Sequence, residues 1–103
     1  MTDGALADSA LRARATLELV SDWTATPEQW QRVIRLLAQL DHAIDRRDAT
    51  ALRAAADALE DLDAYRDPGR VGETPPGPPP PPVLERVPKL VDRIGRLRAG
   101  RHA

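Results

Sequence analysis

The sequence contains no cysteine and no phenylalanine, and only three of its 103 residues are aromatic. Without cysteine, the chain cannot form disulfides, thiolate nucleophiles or thiolate metal sites. Its uninterrupted apolar runs extend over a few residues only, far short of the roughly 20 that a membrane-spanning helix needs. The formal net charge is −1, which gives no electrostatic reason to expect binding to nucleic acid or a membrane. An acid, Asp3, stands where a secretory signal would have a base, so we expect a cytoplasmic protein.

Residues that support catalysis or bind metals are few and scattered. Ser9 and Ser21 have no glycine-rich elbow beside them, and no base is spaced to activate either hydroxyl. His42 stands beside Asp41 and three residues before Asp45, but a metal would need further ligands, and no second histidine is suitably spaced. We interpret these three residues as a solvated polar face. The sequence therefore predicts no cofactor and no enzymatic activity.

The clearest element is a helix that begins after Thr26. Thr26 and Gln29 have the spacing of a capping box, and Pro27 suits the first helical position. The helix should end near Arg46 or Arg47, where cations favour a helix C-terminus. Its apolar face comprises Trp30, Val33, Ile34, Leu37, Leu40 and Ile44.

Two more helices flank this one. The first runs from about Asp3, its expected N-cap, to Ser21, and its apolar face comprises Leu6, Ala10, Leu11, Ala13, Leu17 and Val20. The third follows Asp48, its expected N-cap, and should fray after about Ala64, because acidic residues crowd its C-terminal end. The junction at Arg47 and Asp48 is so short that the second and third helices should form an antiparallel hairpin.

The chain then becomes rich in proline. Pro75–Pro82 contains seven prolines and one glycine, and such a run favours polyproline II with a rise of about 3.1 Å per residue. The eight residues would form a semi-rigid arm about 25 Å long. We favour a spacer role, with recognition by an aromatic groove of a partner as the alternative.

A last amphipathic helix follows from Val83 to about Leu97. Pro88 lies inside it, so the helix is either kinked there or begins there. We favour packing of its apolar face on the first three helices, since a lone helix this short is marginal in water. The alternative is that this face belongs to a partner or a second copy. Its net basic end is expected to dock on the acidic end of the third helix or on a partner.

Trp23 and Trp30 flank the start of the second helix. As the largest apolar side chains of the sequence, they are expected to pack over the first helices. Tryptophan is also enriched at binding hot spots, so the alternative is an exposed anchor for a partner.

Several of these features occur in an order that resembles one protein family. They are Pro27-Glu-Gln-Trp30, Asp48-Ala-Thr-Ala-Leu52, Leu59-Glu60, Arg70-Val-Gly-Glu-Thr-Pro75, the proline run to Pro82, Val83-Leu-Glu-Arg-Val87 and Leu90-Val91. From about Leu17 to Gly95, the chain looks like the CATRA-associated small proteins of bacterial conflict systems. The resemblance implies an accessory protein beside a larger CATRA-domain protein and a peptidase effector. It implies no catalytic residue.

Together, these patterns predict an all-α protein built as a small helical bundle. We expect a three-helix domain at 1–66, an extended Pro-rich linker at 67–82, and an amphipathic helix with a basic tail at 83–103. The predicted function is binding to a larger protein encoded nearby in a defence system. The candidate contact residues are Trp23, Trp30, Pro79, Pro80, Val87, Leu90 and Ile94. Two alternatives are a self-assembling structural protein, hence a homo-oligomer, and a small DNA-binding regulator, whose binding would depend on salt.

Overall fold

A computed structural model describes residues 2–64 and 76–99 of the chain, with side chains for 4–62 and 76–97. These residues form four helices: α1 (Thr2–Val20), α2 (Pro27–Arg46), α3 (Ala49–Ala64) and α4 (Pro81–Ala99). The two described segments contain no strand, so the all-α prediction is confirmed. None of the four helices has the length and apolar character needed to cross a membrane.

The helices form a four-helix bundle in which α1 and α2 each pack against both α3 and α4. Arg93, late in α4, is paired with Asp41 and Asp45, late in α2. Gly77, just before α4, pairs with Ala25, just before α2. Because both their starts and their later turns meet, α2 and α4 run parallel.

The start of α2 follows the predicted capping pattern. The Gln29 backbone N–H donates to Thr26 Oγ1 at 3.2 Å, and the Thr26 backbone N–H donates to Gln29 Oε1 at 2.9 Å. These two bonds satisfy amides that have no partner within the helix. Pro27 occupies the first turn without loss, since its position needs no amide donor.

A tight turn joins α2 to α3, as predicted. Arg47 adopts the left-handed conformation with a φ of 51°, and the Asp48 backbone N–H donates to the Ala43 carbonyl at 3.0 Å. Asp48 Oδ1 then accepts the Ala51 amide at 3.1 Å. The chain therefore reverses within two residues, which makes α2 and α3 antiparallel neighbours.

The core lies along the bundle axis and takes one face from every helix. Its largest fully buried side chains are Leu17, Val20, Val33, Leu37, Leu40, Leu52, Leu59, Val83 and Ile94. Two predictions for α1 are wrong. Leu11 is 46% exposed, because it lies on the outer side of the helix. Asp3 is not the N-cap, because α1 already begins at Thr2.

The terminal helix begins earlier than expected and packs on its own chain. Pro81 and Pro82 form its first turn, so they are not part of an eight-residue polyproline rod. The Pro80 carbonyl accepts the Val83 and Leu84 amides at 3.0 and 3.2 Å. Pro88 lies within the helix, so the alternative start at Pro88 is wrong. The predicted fraying after Ala64 and the extended 70–74 stretch concern residues 65–75, which lie outside the described residues.

Candidate functional site: an arginine-flanked groove and a proline clasp

Five of the seven predicted contact residues lie in the core. The two tryptophans, Trp23 and Trp30, are each 4% exposed, which agrees with the packing interpretation and not with an exposed anchor. Val87, Leu90 and Ile94 are buried by the packing of α4 on α1 and α2. A partner would reach these five side chains only if the bundle opened. The other two, Pro79 and Pro80, are partly exposed.

The proline segment is held against the bundle by what we call the proline clasp, formed by Ala25, Trp30 and Gly77. The Ala25 amide donates to the Gly77 carbonyl at 3.0 Å, and the Gly77 amide donates back to the Ala25 carbonyl at 2.9 Å. The Trp30 indole Nε1–H also donates to the Gly77 carbonyl, at 3.0 Å. The segment is therefore not a free spacer where it meets the bundle.

Gly77 is the residue that the sequence reasoning missed here. Between Pro75 and Pro82 it is the only residue with a backbone N–H, because proline has none. The single glycine in the run therefore supplies the only donor with which this stretch can pair with Ala25. The sequence feature that could have identified this pairing residue is a lone glycine within a proline run. Beside the clasp lies a shallow depression of about 280 Å³ lined by Ala25, Pro27, Trp30, Gln31, Gly77, Pro78 and Pro80.

A second attachment of α4 to the bundle involves Asp41 and Asp45, the two acidic residues near His42. Arg93 donates hydrogen bonds to Asp41 and Asp45 of α2, while His42 between them is exposed. The two carboxylates thus form ion pairs and are not simply solvated. The hydrogen bond with Asp45 is the main cause of a raised pKa of Arg93, and burial opposes it. No group of three or more acidic or histidine side chains within the described residues is arranged to hold a metal ion.

Asp57 and Glu60, in the second half of α3, form ion pairs with α1. Arg12 Nε donates to Glu60 Oε1 at 3.2 Å and lies 3.2 Å from Asp57 Oδ1. Its Nη2 donates to Glu60 Oε2 at 3.2 Å. The pKa of Arg12 is raised, chiefly by the hydrogen bond with Glu60. Of the bases in α4, Arg93 pairs with α2 and Arg96 pairs with Asp92 of its own helix, so the predicted docking on α3 is not found for them. The rest of the predicted contact, at Asp63, Asp67, Arg98 and Arg101, lies outside the residues whose side chains are described.

A groove runs along the outer side of the α2–α3 pair, and we call it the α2–α3 groove. It is a shallow, open depression of about 240 Å³, lined by Arg32, Arg35, Leu36, Gln39, Ala58 and Leu62. Leu36 and Leu62 are partly buried against the core, whereas Arg32 and Arg35 are exposed. The four lining residues from α2 follow the spacing i, i+3, i+4, i+7 and therefore share one helix face.

The sequence reasoning did not single out this groove. Its apolar residues were visible, but Leu36 falls beside the main stripe of α2 and was not assigned a role. The sequence does show that Leu36 shares one face of α2 with Arg32 and Arg35. Whether that face forms a groove, however, depends on which helix packs beside it.

The chain matches the sequence model of a known protein family. The sequence model of the family described as CATRA-Associated Small Protein matches residues 12–98. This range includes the C-terminal half of α1, all of α2 and α3, and nearly all of α4. No match is found among curated proteins or among solved structures.

Proposed function

Because the chain belongs to the CATRA-associated small protein family, we propose that it is a non-enzymatic accessory protein that binds a larger CATRA-domain protein. We further propose that the pair acts in a bacterial conflict system in the cytoplasm, together with a peptidase effector. The observation that carries the proposal is the family match over residues 12–98. The family's description names the association with CATRA and names no reaction.

The surface of the bundle supports a binding role. Leu11, Leu19 and Leu84 are about half exposed, and the α2–α3 groove adds partly covered apolar surface between two helices. Single exposed leucines are ordinary on a monomer, so the groove is the stronger of the two features. Apolar surface lined by a few polar groups is typical of protein-binding sites.

A binding experiment with purified proteins tests the proposal. The chain and the CATRA-domain protein encoded beside it are expressed separately, purified, and mixed at equal concentration. We expect a complex by size-exclusion chromatography with light scattering, and a measurable heat of binding by titration calorimetry. Separate elution with no heat of binding would contradict the proposal.

The same preparation distinguishes the alternatives. A self-assembling protein would show a mass that rises with concentration in the absence of any partner. A DNA-binding regulator would retard a DNA fragment, and its affinity would fall steeply with salt. The apolar face that self-assembly would use on α4, including Val87 and Ile94, is buried within the same chain.

A further inference from the structure

We propose that the α2–α3 groove is the surface that receives the partner, and that the partner presents an acidic amphipathic helix. The inference rests on the proposed function, since it assumes that the chain binds another protein. It adds the location of the contact and the chemistry of the binding segment.

The shape of the groove favours protein side chains over a small molecule. Its volume of about 240 Å³ lies below the range of about 300–1,000 Å³ that is usual for small-molecule sites. It lies between two antiparallel helices, and its apolar floor is formed by Leu36, Ala58 and Leu62. A helix fits such a groove by inserting apolar side chains that recur at i, i+3, i+4 and i+7. Ala58 has a small side chain, which leaves room on the face of α3 that it shares with Leu62, four residues later.

The charge of the groove is the argument for an acidic partner. Arg32 and Arg35 line it, and its described lining residues include no acidic side chain. Neither guanidinium is ion-paired with a carboxylate of the described residues. Within the described residues, ion pairs are formed by Arg12, Arg14, Arg53, Arg93 and Arg96. Arg32 and Arg35 share the lack of a described ion pair with Arg46, Arg47 and Arg86, but only Arg32 and Arg35 line the α2–α3 groove. Two arginines beside an apolar floor, with no acidic residue among the lining side chains that the structure describes, complement a helix whose leucines are flanked by Asp or Glu.

Arginine is suited to this position. Its planar guanidinium binds carboxylates through two parallel hydrogen bonds, and it is less strongly hydrated than a lysine ammonium. The aliphatic part of each arginine can also cover an apolar neighbour while its charged end stays in water. Arg32 and Arg35 would therefore contribute both to the apolar contact and to the selection of acidic helices.

The first arm of the test uses the CATRA-domain protein and charge reversal. The double variant Arg32→Glu/Arg35→Glu should bind it at least tenfold more weakly than the wild type. The matched control is Arg86→Glu/Lys89→Glu on α4, which makes the same change in net charge at exposed positions. This control should stay within about twofold of wild type. Circular dichroism melting must show that both variants are folded. Full affinity in the groove variant, with the wild type binding, would overturn the inference and leave the proposed function intact.

The second arm keeps the inference testable without the CATRA-domain protein. The probes are two synthetic helical peptides with leucine on one face, flanked by glutamate in one and by lysine in the other. Titrated into ¹⁵N-labelled protein, the glutamate peptide should shift amides around Leu36 and Leu62 and bind at least tenfold more tightly than the lysine peptide. In Arg32→Glu/Arg35→Glu the preference should reverse.

The outcomes of the two arms separate the two proposals. If the CATRA-domain protein does not bind but the glutamate peptide occupies the groove, the proposed function fails, while the groove remains a site for an acidic helix of another protein. Equal affinity for the two peptides, or shifts confined to another face, would overturn the inference. A concentration-dependent dimer of the wild type that Arg32→Glu/Arg35→Glu abolishes would also overturn it, because a second copy would then be the occupant.

Discussion

Replacing Ile94 by alanine tests whether α4 is an integral part of the core. Ile94 is fully buried, and α4 reaches the core by packing on α1 and α2. Truncating a buried isoleucine to alanine costs about 2–5 kcal/mol, from lost transfer free energy and from the cavity that remains. A domain of this size has a free energy of unfolding of about 5–15 kcal/mol. The substitution should therefore remove a large share of the stability.

The assay is urea unfolding followed by two signals. Far-ultraviolet circular dichroism reports on all helices, whereas tryptophan fluorescence reports on Trp23 and Trp30, which lie before and within α2. With a slope of about 1–3 kcal/mol per molar urea, a loss of about 3 kcal/mol should lower the midpoint of both transitions by about 1–3 M. The matched control is Leu84→Ala on the same helix. Leu84 is 49% exposed, so its truncation should change the free energy of unfolding by less than about 0.5 kcal/mol.

The reasoning is refuted by one clear result. If Ile94→Ala leaves the fluorescence midpoint unchanged while part of the helical dichroism is lost at lower urea, α4 unfolds separately from the other helices. A single transition, shifted equally in both signals, is expected instead.

Three further predictions concern the core, the proline clasp and the polar face of α2. Leu37→Asp should abolish folding, because an unpaired charge would enter a fully buried site; a retained cooperative melt would contradict this. Trp30→Phe should lower the free energy of unfolding in urea by about 1 kcal/mol more than Trp23→Phe, because only Trp30 donates a hydrogen bond to Gly77. Equal losses in the two variants would show that this hydrogen bond does not stabilise the fold. His42→Ala should leave the melting temperature unchanged, because His42 is exposed, and should leave binding of the CATRA-domain protein unchanged, because His42 does not line the α2–α3 groove. Lost binding with an intact fold would show that the partner contacts this face of α2.

The second helix and its junction with the third were predictable because their signals are local. Thr26 and Gln29 are three residues apart, and the bonds between them need no other part of the chain. Asp48 likewise caps α3 through an amide three residues later. Such patterns are satisfied by the segment that contains them, so the sequence can be read without knowledge of the tertiary structure.

The course of the proline segment was not predictable in the same way. A proline run is compatible with polyproline II, but proline is also favoured in the first turn of a helix. The choice at Pro81 and Pro82 depends on where α4 must start in order to bury Val83. Gly77 finds its hydrogen-bonding partner 52 residues earlier in the chain, at Ala25, and no local rule identifies a partner at that distance.

The groove could not be predicted because it belongs to a pair of helices. Arg32, Arg35 and Leu36 follow one face of α2, and that pattern alone is equally typical of an ordinary solvated surface. Only the placement of Ala58 and Leu62 beside them makes a concave site. The same holds for Arg93, because its partners Asp41 and Asp45 lie 52 and 48 residues earlier in the chain, on another helix.

The candidate contact residues on α4 and those of the α2–α3 groove predict opposite effects of a bound partner on the stability of the bundle. If a partner bound Val87, Leu90 or Ile94, it would bind an opened chain, and a saturating amount would favour opening of the bundle. If it binds the α2–α3 groove, it binds the folded chain, and the proline clasp and the Arg93 ion pairs stay in place. Ligands of the folded state stabilise it, by about 2.7 kcal/mol at a free concentration of 100 times Kd. A saturating partner should therefore raise the urea midpoint of the tryptophan signal, and a lowered midpoint would instead identify the buried face of α4 as the binding element.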